Sequence, residues 1–295
     1  MTLWSRFLAS TMLVKLIVIN TLVFLIINIV LVFVSLTGNP NHAVLVDYGL
    51  YLSCTASFKE LLVRPWSIIT YMFAHVDFWH LVSNMIVLYV FGRIFSEFFG
   101  LKKLLTTYIA GGICGFLLFI ISYNFFPAFE VEHSRMVGAS ASVMAILLAS
   151  ATYMPQYRIN LVLLGPVPLW LIAVFFVILD FVSLRYFSNA GGHLAHLGGG
   201  LYGFMLATQW RRGKNIGGCL ENLLDKISLS SLLKRRSKLR VVKNVSRVPK
   251  SNEEYNAERK AKQDKIDRIL DKISRSGYDS LTKDEKDFLF RQSDN

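Results

Sequence analysis

Mainly apolar stretches recur six times along the chain, at roughly 12 to 36, 71 to 95, 104 to 123, 137 to 154, 161 to 185 and 192 to 210, with shorter polar or charged connections between them. Each has about the twenty residues that a helix needs to cross a hydrocarbon core of about 30 Å. The pattern predicts an all-α membrane protein with six transmembrane helices. The first segment follows Arg6 and Lys15 and has no charge from Leu16 to Leu36, too long a run for the apolar core of a signal peptide. With no small-residue cleavage pattern after it, it reads as retained.

Composition agrees, since 53% of the 295 residues are hydrophobic and the mean hydropathy is +0.44. These values exclude an ordinary soluble domain. The net charge of +12 is unevenly spread: residues 1 to 210 hold 10 Lys/Arg and 7 Asp/Glu, whereas 211 to 250 hold 12 and 2. With a cytoplasmic N-terminus, Arg93, Lys102, Lys103, Arg158 and the stretch after residue 210 all fall on the inner side, as the positive-inside bias requires. The opposite face receives 37 to 70, the loop 124 to 136 with Glu130 and Glu132, and the turn 186 to 191. This places the chain in a cell (inner) membrane with both termini cytoplasmic. The basic core Lys234-Arg235-Arg236-Ser237-Lys238-Leu239-Arg240 reads as a solvated topogenic cluster or as a contact for anionic lipids, in preference to nucleic acid. Cys54, Cys114 and Cys219 make neither a disulfide framework nor a zinc spacing, and no metal or cofactor is expected.

Three parts follow: a membrane domain over 1–210, a basic juxtamembrane segment and linker over 211–250, and a cytoplasmic helical hairpin over 251–295. Residues 241 to 258 lack apolar periodicity and read as a flexible linker. In the tail Ile266, Ile269, Leu270 and Ile273 recur at helical spacing, Gly277 interrupts them, and Thr282 with Glu285 forms a capping-box pattern before Phe288 and Leu289.

Polar side chains inside spanning segments are costly and are therefore candidates for function. Ser140, in Gly138-Ala139-Ser140-Ala141-Ser142, enters the fourth segment, where its backbone N–H has no intrahelical partner and is free to donate to an oxyanion. Small residues here also allow close packing alone. His196, in Ala195-His196-Leu197-Gly198-Gly199, is followed by Gly199 and Gly203, while Ala141, Ala145 and Ala149 follow Ser140. If these two small-residue seams face each other, Ser140 and His196 meet as nucleophile and base; otherwise His196 satisfies a carbonyl between helices. His80 and Asn84, at i and i+4, share one helix face and can donate to a tetrahedral intermediate or make interhelical hydrogen bonds. His75 reads as capping or packing a loop, and Asp180, near Arg185, as a snorkelling or structural carboxylate.

The combination His75-x4-His80-x3-Asn84, Gly138-x-Ser140 and Ala195-His196-x2-Gly199-x3-Gly203 resembles the rhomboid intramembrane serine proteases over roughly residues 12 to 210. The resemblance implies a six-helix rhomboid-like bundle, with Ser140 as nucleophile and His196 as general base and acid without a third carboxylate. His80, Asn84 and the Ser140 N–H would form the oxyanion hole, with Gly138, Gly199 and Gly203 as packing glycines. It further implies a partly embedded outer loop carrying Arg64-Pro65-Trp66. The fifth segment and the turn 186 to 191 would be the gate and cap admitting a substrate helix and water. Ala141 stands where the family usually has glycine, Met144 where an aromatic is common, Trp66-Ser67 in place of Trp-Arg, and Glu97 one position late.

The expected activity is endoproteolysis of transmembrane segments of other membrane proteins, favouring small residues near the cut and helix-breaking residues beyond it, because a helix hides its carbonyls until it unwinds. The alternative is a catalytically silent rhomboid-like protein that binds membrane clients; the presence of both serine and histidine argues against it.

Overall fold

The computed structural model describes residues 10–37, 51–129, 134–161, 164–186, 189–227 and 252–293. Two compact units divide the chain, Met1–Leu233 and Lys234–Asn295. Much of the connection after the first helix, the acidic positions Glu130 and Glu132, and the basic core 234 to 240 lie outside the described residues.

In the first unit α1 (Met12–Leu36) is capped by Thr11, whose hydroxyl accepts the Val14 N–H. Two short helices, α2 (Phe58–Val63) and α3 (Ser67–Thr70), and a 3-10 turn (Tyr71–Phe73) lead to α4 (Phe78–Phe99). The expected helix from residue 71 therefore starts seven residues later. The cause is Asp77, extended at φ −89° and ψ 137°, whose carboxylate accepts the His80 N–H at 2.7 Å and so fixes the first turn. Gly100, with φ 85°, separates α4 from α5 (Leu101–Phe125).

The next helix, α6 (Ser140–Tyr153), has 14 residues and spans about 21 Å. Ten of its residues are buried, so protein surrounds it and it presents little surface to lipid. The apolar segment expected over 161 to 185 divides: β1 (Arg158–Leu161) pairs antiparallel with β2 (Gly165–Pro168), and only then does α7 (Leu169–Ser183) begin. Gly165, at φ 70°, permits the turn into β2, and Pro168 precedes the first helical turn. After a 3-10 turn (Leu184–Tyr186) come α8 (Ala190–Arg211) and α9 (Gly218–Ile227), a helix that the sequence pattern did not reveal inside the basic stretch. Lys102 on α5 meets Asp225 on α9 at 2.6 Å.

Among the described residues four runs are long and apolar enough to cross a membrane: Met12–Leu36, Phe78–Phe99, Leu101–Phe125 and Leu169–Tyr186. Their outward faces carry large apolar side chains, such as Phe33 at 68% and Phe175 at 59% exposure, which suit lipid and not water. The centre of the unit is a seam of small residues among α5, α6 and α8. A Cβ added at Gly199 would lie 2.0 Å from the Ala141 carbonyl oxygen, and one at Gly203 2.1 Å from that of Ala145. Gly111 and Gly115 of α5 complete the seam, against Ala145 and Ala141. Such close approach maximises dispersion contacts between backbones where lipid supplies no hydrophobic drive.

The second unit pairs α10 (Asn252–Ser276) with α11 (Lys283–Ser293). Helix α10 takes in 252 to 258, expected as linker. Gly277 at φ 74° ends it, Thr282 and Glu285 exchange backbone-to-side-chain hydrogen bonds as a capping box, and Lys272 reaches Glu285 at 2.9 Å.

Candidate active site

Three helices bring the four polar residues to one place. Ser140 opens α6, His80 and Asn84 lie one turn apart in α4, and His196 lies in the second turn of α8. All four line one cavity of about 440 Å³, together with Ser83, Val87, Arg135, Val137, Val143, Met144, Phe176, Asn189 and Gly192. The small-residue seam sets this convergence: Gly199, one turn after His196, packs on Ala141, the residue after Ser140. Among the described residues no hydrogen bond joins Ser140 to His196; they face one shared space.

The serine end is built where the chain between α1 and α4 meets the segment leading into α6. Cys54 and Met136 exchange backbone hydrogen bonds at 2.9 and 2.8 Å, and the Gly138 N–H donates to the Tyr71 carbonyl at 2.9 Å. His75 lies outside the cavity lining and accepts the Ala139 N–H on Nε2 at 3.3 Å, which tethers the residue before Ser140. Gly138 packs against a ring and not between helices, contrary to the packing role expected. Its φ is 119°, and an added Cβ would lie 2.6 Å from His80 Cε1. Ser140 begins the helix, so its N–H is among the first-turn donors left without an intrahelical acceptor. Asn84 is buried and gives one amide hydrogen to the His80 carbonyl at 2.8 Å, which fixes its orientation and leaves the second for another acceptor.

The histidine end holds a group that sequence reasoning misplaced. Asp180 of α7 is 5% exposed, and its Oδ1 lies 2.7 Å from His196 Nδ1 and 2.8 Å from His193 Nδ1. It neither snorkels nor stands apart from the dyad, and the expectation of no third carboxylate is corrected. An ionised carboxylate only accepts, so Nδ1 of His196 donates and Nε2 keeps its lone pair. The available signal was a lone carboxylate in an apolar segment followed by two histidines three residues apart; what was missing was which faces of α7 and α8 meet. Arg135 also went unnoticed: it lines the cavity while bonding Thr55 and Glu60, and Glu60 also holds Arg64. Met144 lines the cavity. Ser67 caps locally, its hydroxyl donating to the Arg64 carbonyl at 2.7 Å.

A purely apolar groove of about 720 Å³ runs beside this cavity, lined by α4, the β-hairpin and α7. Val87 and Phe176 line both spaces.

Residues 63–212 match the model of the rhomboid domain. The chain belongs to the rhomboid family. It is 32% identical over 161 residues to RHOMBOID-like protein 12, mitochondrial, of Arabidopsis thaliana, covering 51% of this chain and 48% of that protein. To the presenilin-associated rhomboid-like protein A, mitochondrial, of Danio rerio it is 32% identical over 138 residues, covering 44% and 34%. With rhomboid protein 1, mitochondrial, of Saccharomyces cerevisiae the figures are 27% over 149 residues, 50% and 42%. The rhomboid match thus spans about half or less of each relative. Residues 251–295 match a separate family of unknown function (DUF6576).

Proposed function

We propose that this rhomboid is an intramembrane serine endopeptidase that cleaves transmembrane segments of other membrane proteins. The observation that carries the reading is the convergence of Ser140, His196, His80 and Asn84 on one cavity, with Asp180 behind His196. In this mechanism His196 Nε2 takes the Ser140 hydroxyl proton as Oγ attacks the scissile carbonyl. Asp180 holds the imidazole and stabilises its charged form. The oxyanion receives the Ser140 N–H, the free Asn84 amide hydrogen and His80. His196 then gives its proton to the leaving amine, and water repeats the sequence on the acyl-enzyme.

Six spans follow from adding α6 and α8 to the four long apolar helices; α6 is short because protein surrounds it, and α8 is less apolar because the seam needs its glycines. The apolar groove is the entry for a substrate helix, with Val87 and Phe176 between it and the polar cavity. The basic connections support both chain ends lying on the side where the Lys/Arg residues gather, the cytoplasm for a cell membrane or the matrix for a mitochondrial inner membrane, and the named relatives are mitochondrial. Fractionation decides between them. The 211–250 stretch meets anionic headgroups on that side.

The test is co-expression with a panel of reporter spanning segments that vary in small and helix-breaking residues. Ser140-dependent cleavage inside or beside the spanning segment is expected. Cleavage that persists in Ser140→Ala, or none with any reporter, contradicts the proposal.

A further inference from the structure

Proteolysis needs one histidine on Asp180, yet two converge there. His193 and His196 lie three residues apart on α8, and both present Nδ1 to the same carboxylate oxygen, at 2.8 and 2.7 Å. The other oxygen, Oδ2, is buried and has no hydrogen-bond partner among the described residues. An orphaned anionic oxygen in an otherwise apolar wall is expensive and calls for a ligand. One donor atom from each of the three residues lies within 4.8 Å of the others.

We propose that Asp180, His193 and His196 bind a divalent transition-metal cation, zinc above all, and that its binding reversibly switches proteolysis off. Two imidazoles and a carboxylate are a donor set suited to zinc and unsuited to magnesium or calcium, which take oxygen ligands. Zinc holds such ligands at about 2.0 to 2.2 Å, so tetrahedral donors stand about 3.3 Å apart. The present separations of 2.7 and 2.8 Å therefore need to open by roughly half an ångström, and Oδ2 is free to turn onto the cation. Both histidine side chains are about a fifth exposed, and His196 lines the cavity of about 440 Å³, which gives the cation a path and leaves room for water as a fourth ligand.

Inhibition follows from which nitrogen is used. A cation on His196 Nδ1 displaces the proton from that atom, and through solvent it moves to Nε2; the ring stays neutral and no proton is lost overall. Nε2 then has no lone pair with which to take the Ser140 proton. The cation also ties α7 to α8, beside the groove that Phe176 lines. The binding half of this inference stands on the three side chains alone; the inhibitory half rests on the proteolytic reading.

Binding is measured on the full-length Ser140→Ala protein in detergent, purified through a tag without histidine, by cobalt absorption spectroscopy with zinc displacement and by zinc calorimetry. One cation per chain is expected, weakened at least about tenfold by Asp180→Asn and by His193→Gln, while magnesium does not compete. In the Ser140 protein, zinc should suppress cleavage of a reporter segment and EDTA should restore it. His193→Gln, normalised to its own metal-free rate, should need at least about tenfold more zinc. No stoichiometric binding, or binding indifferent to His193→Gln in a folded protein, overturns the site. Binding without zinc-dependent inhibition of a cleaving protein overturns the switch. Because the binding arm uses a protein that cannot cleave, absence of protease activity leaves it intact.

Discussion

Asp180 changes what the histidine can do. A neutral imidazole exists in two tautomers, and only the one with the proton on Nδ1 leaves Nε2 as a base; the 2.7 Å contact to Asp180 selects it. Asp180→Asn should therefore lower turnover by between about 10²- and 10⁴-fold, since the amide can present an N–H and favour the wrong tautomer. Turnover within a few-fold of the parent, on a substrate limited by chemistry, would make Asp180 a packing residue. Asn84→Ala removes one oxyanion donor and should cost about 10²-fold in turnover with a smaller change in KM, read from steady-state cleavage. An unchanged turnover would reassign Asn84 to holding the His80 carbonyl.

The α6–α8 contact is the element that puts Ser140 and His196 in one space. Gly199→Ala is a small change chemically, but its Cβ would stand 2.0 Å from a main-chain oxygen that cannot rotate away. Overpacking of this kind costs about 1 to 3 kcal/mol. Thermal unfolding in detergent should show a lowered midpoint together with lost activity, whereas Gly200→Ala on the same helix, where an added Cβ would lie in ordinary contact 3.4 Å from Leu148, serves as the control. Equal midpoints for Gly199→Ala and the parent would contradict the seam. This contact was legible in the sequence because small residues at intervals of three and four need only helical periodicity to fall on one face. The α5 glycines, Gly111 and Gly115, carry the same signal but lie in a segment with no reactive residue to draw notice. Two boundaries were hidden by continuous apolarity. Residues 71 to 76 and 161 to 168 are as apolar as the helices they precede, so hydropathy merges them, and only Asp77 and the Gly165/Pro168 pair mark where the helices begin. Asp180 was illegible for another reason: its partners lie 13 and 16 residues away on another helix, and the rotation of α7 about its axis is set by tertiary packing.

At the scale of the whole molecule the chain joins a membrane-embedded unit to a polar helical pair, and they respond to different conditions. In the tail, Glu285 has its carboxyl pushed down to about 2, first by hydrogen bonding to Lys272 and then to the Thr282 backbone. A depressed acid stabilises the fold above its unfolded value, about 4.3, and that contribution disappears as pH falls towards about 2. Pepsin, which works throughout that window, should cut within 277–293 of the full chain increasingly as pH drops from 4.3 to 2. Glu285→Gln should be cut readily at the upper end already. A cutting pattern independent of both pH and substitution would contradict the capping box as a stabilising device.

The account as a whole turns on Ser140 being a nucleophile activated by His196. Reaction of the purified protein with an alkyl fluorophosphonate, followed by mass spectrometry of the intact chain and its peptides, measures that most directly, because it needs no knowledge of the substrate. The account predicts a single adduct on Ser140, absent in Ser140→Ala and nearly absent in a folded His196→Ala. An adduct on another serine, or undiminished labelling of Ser140 without His196, would contradict it.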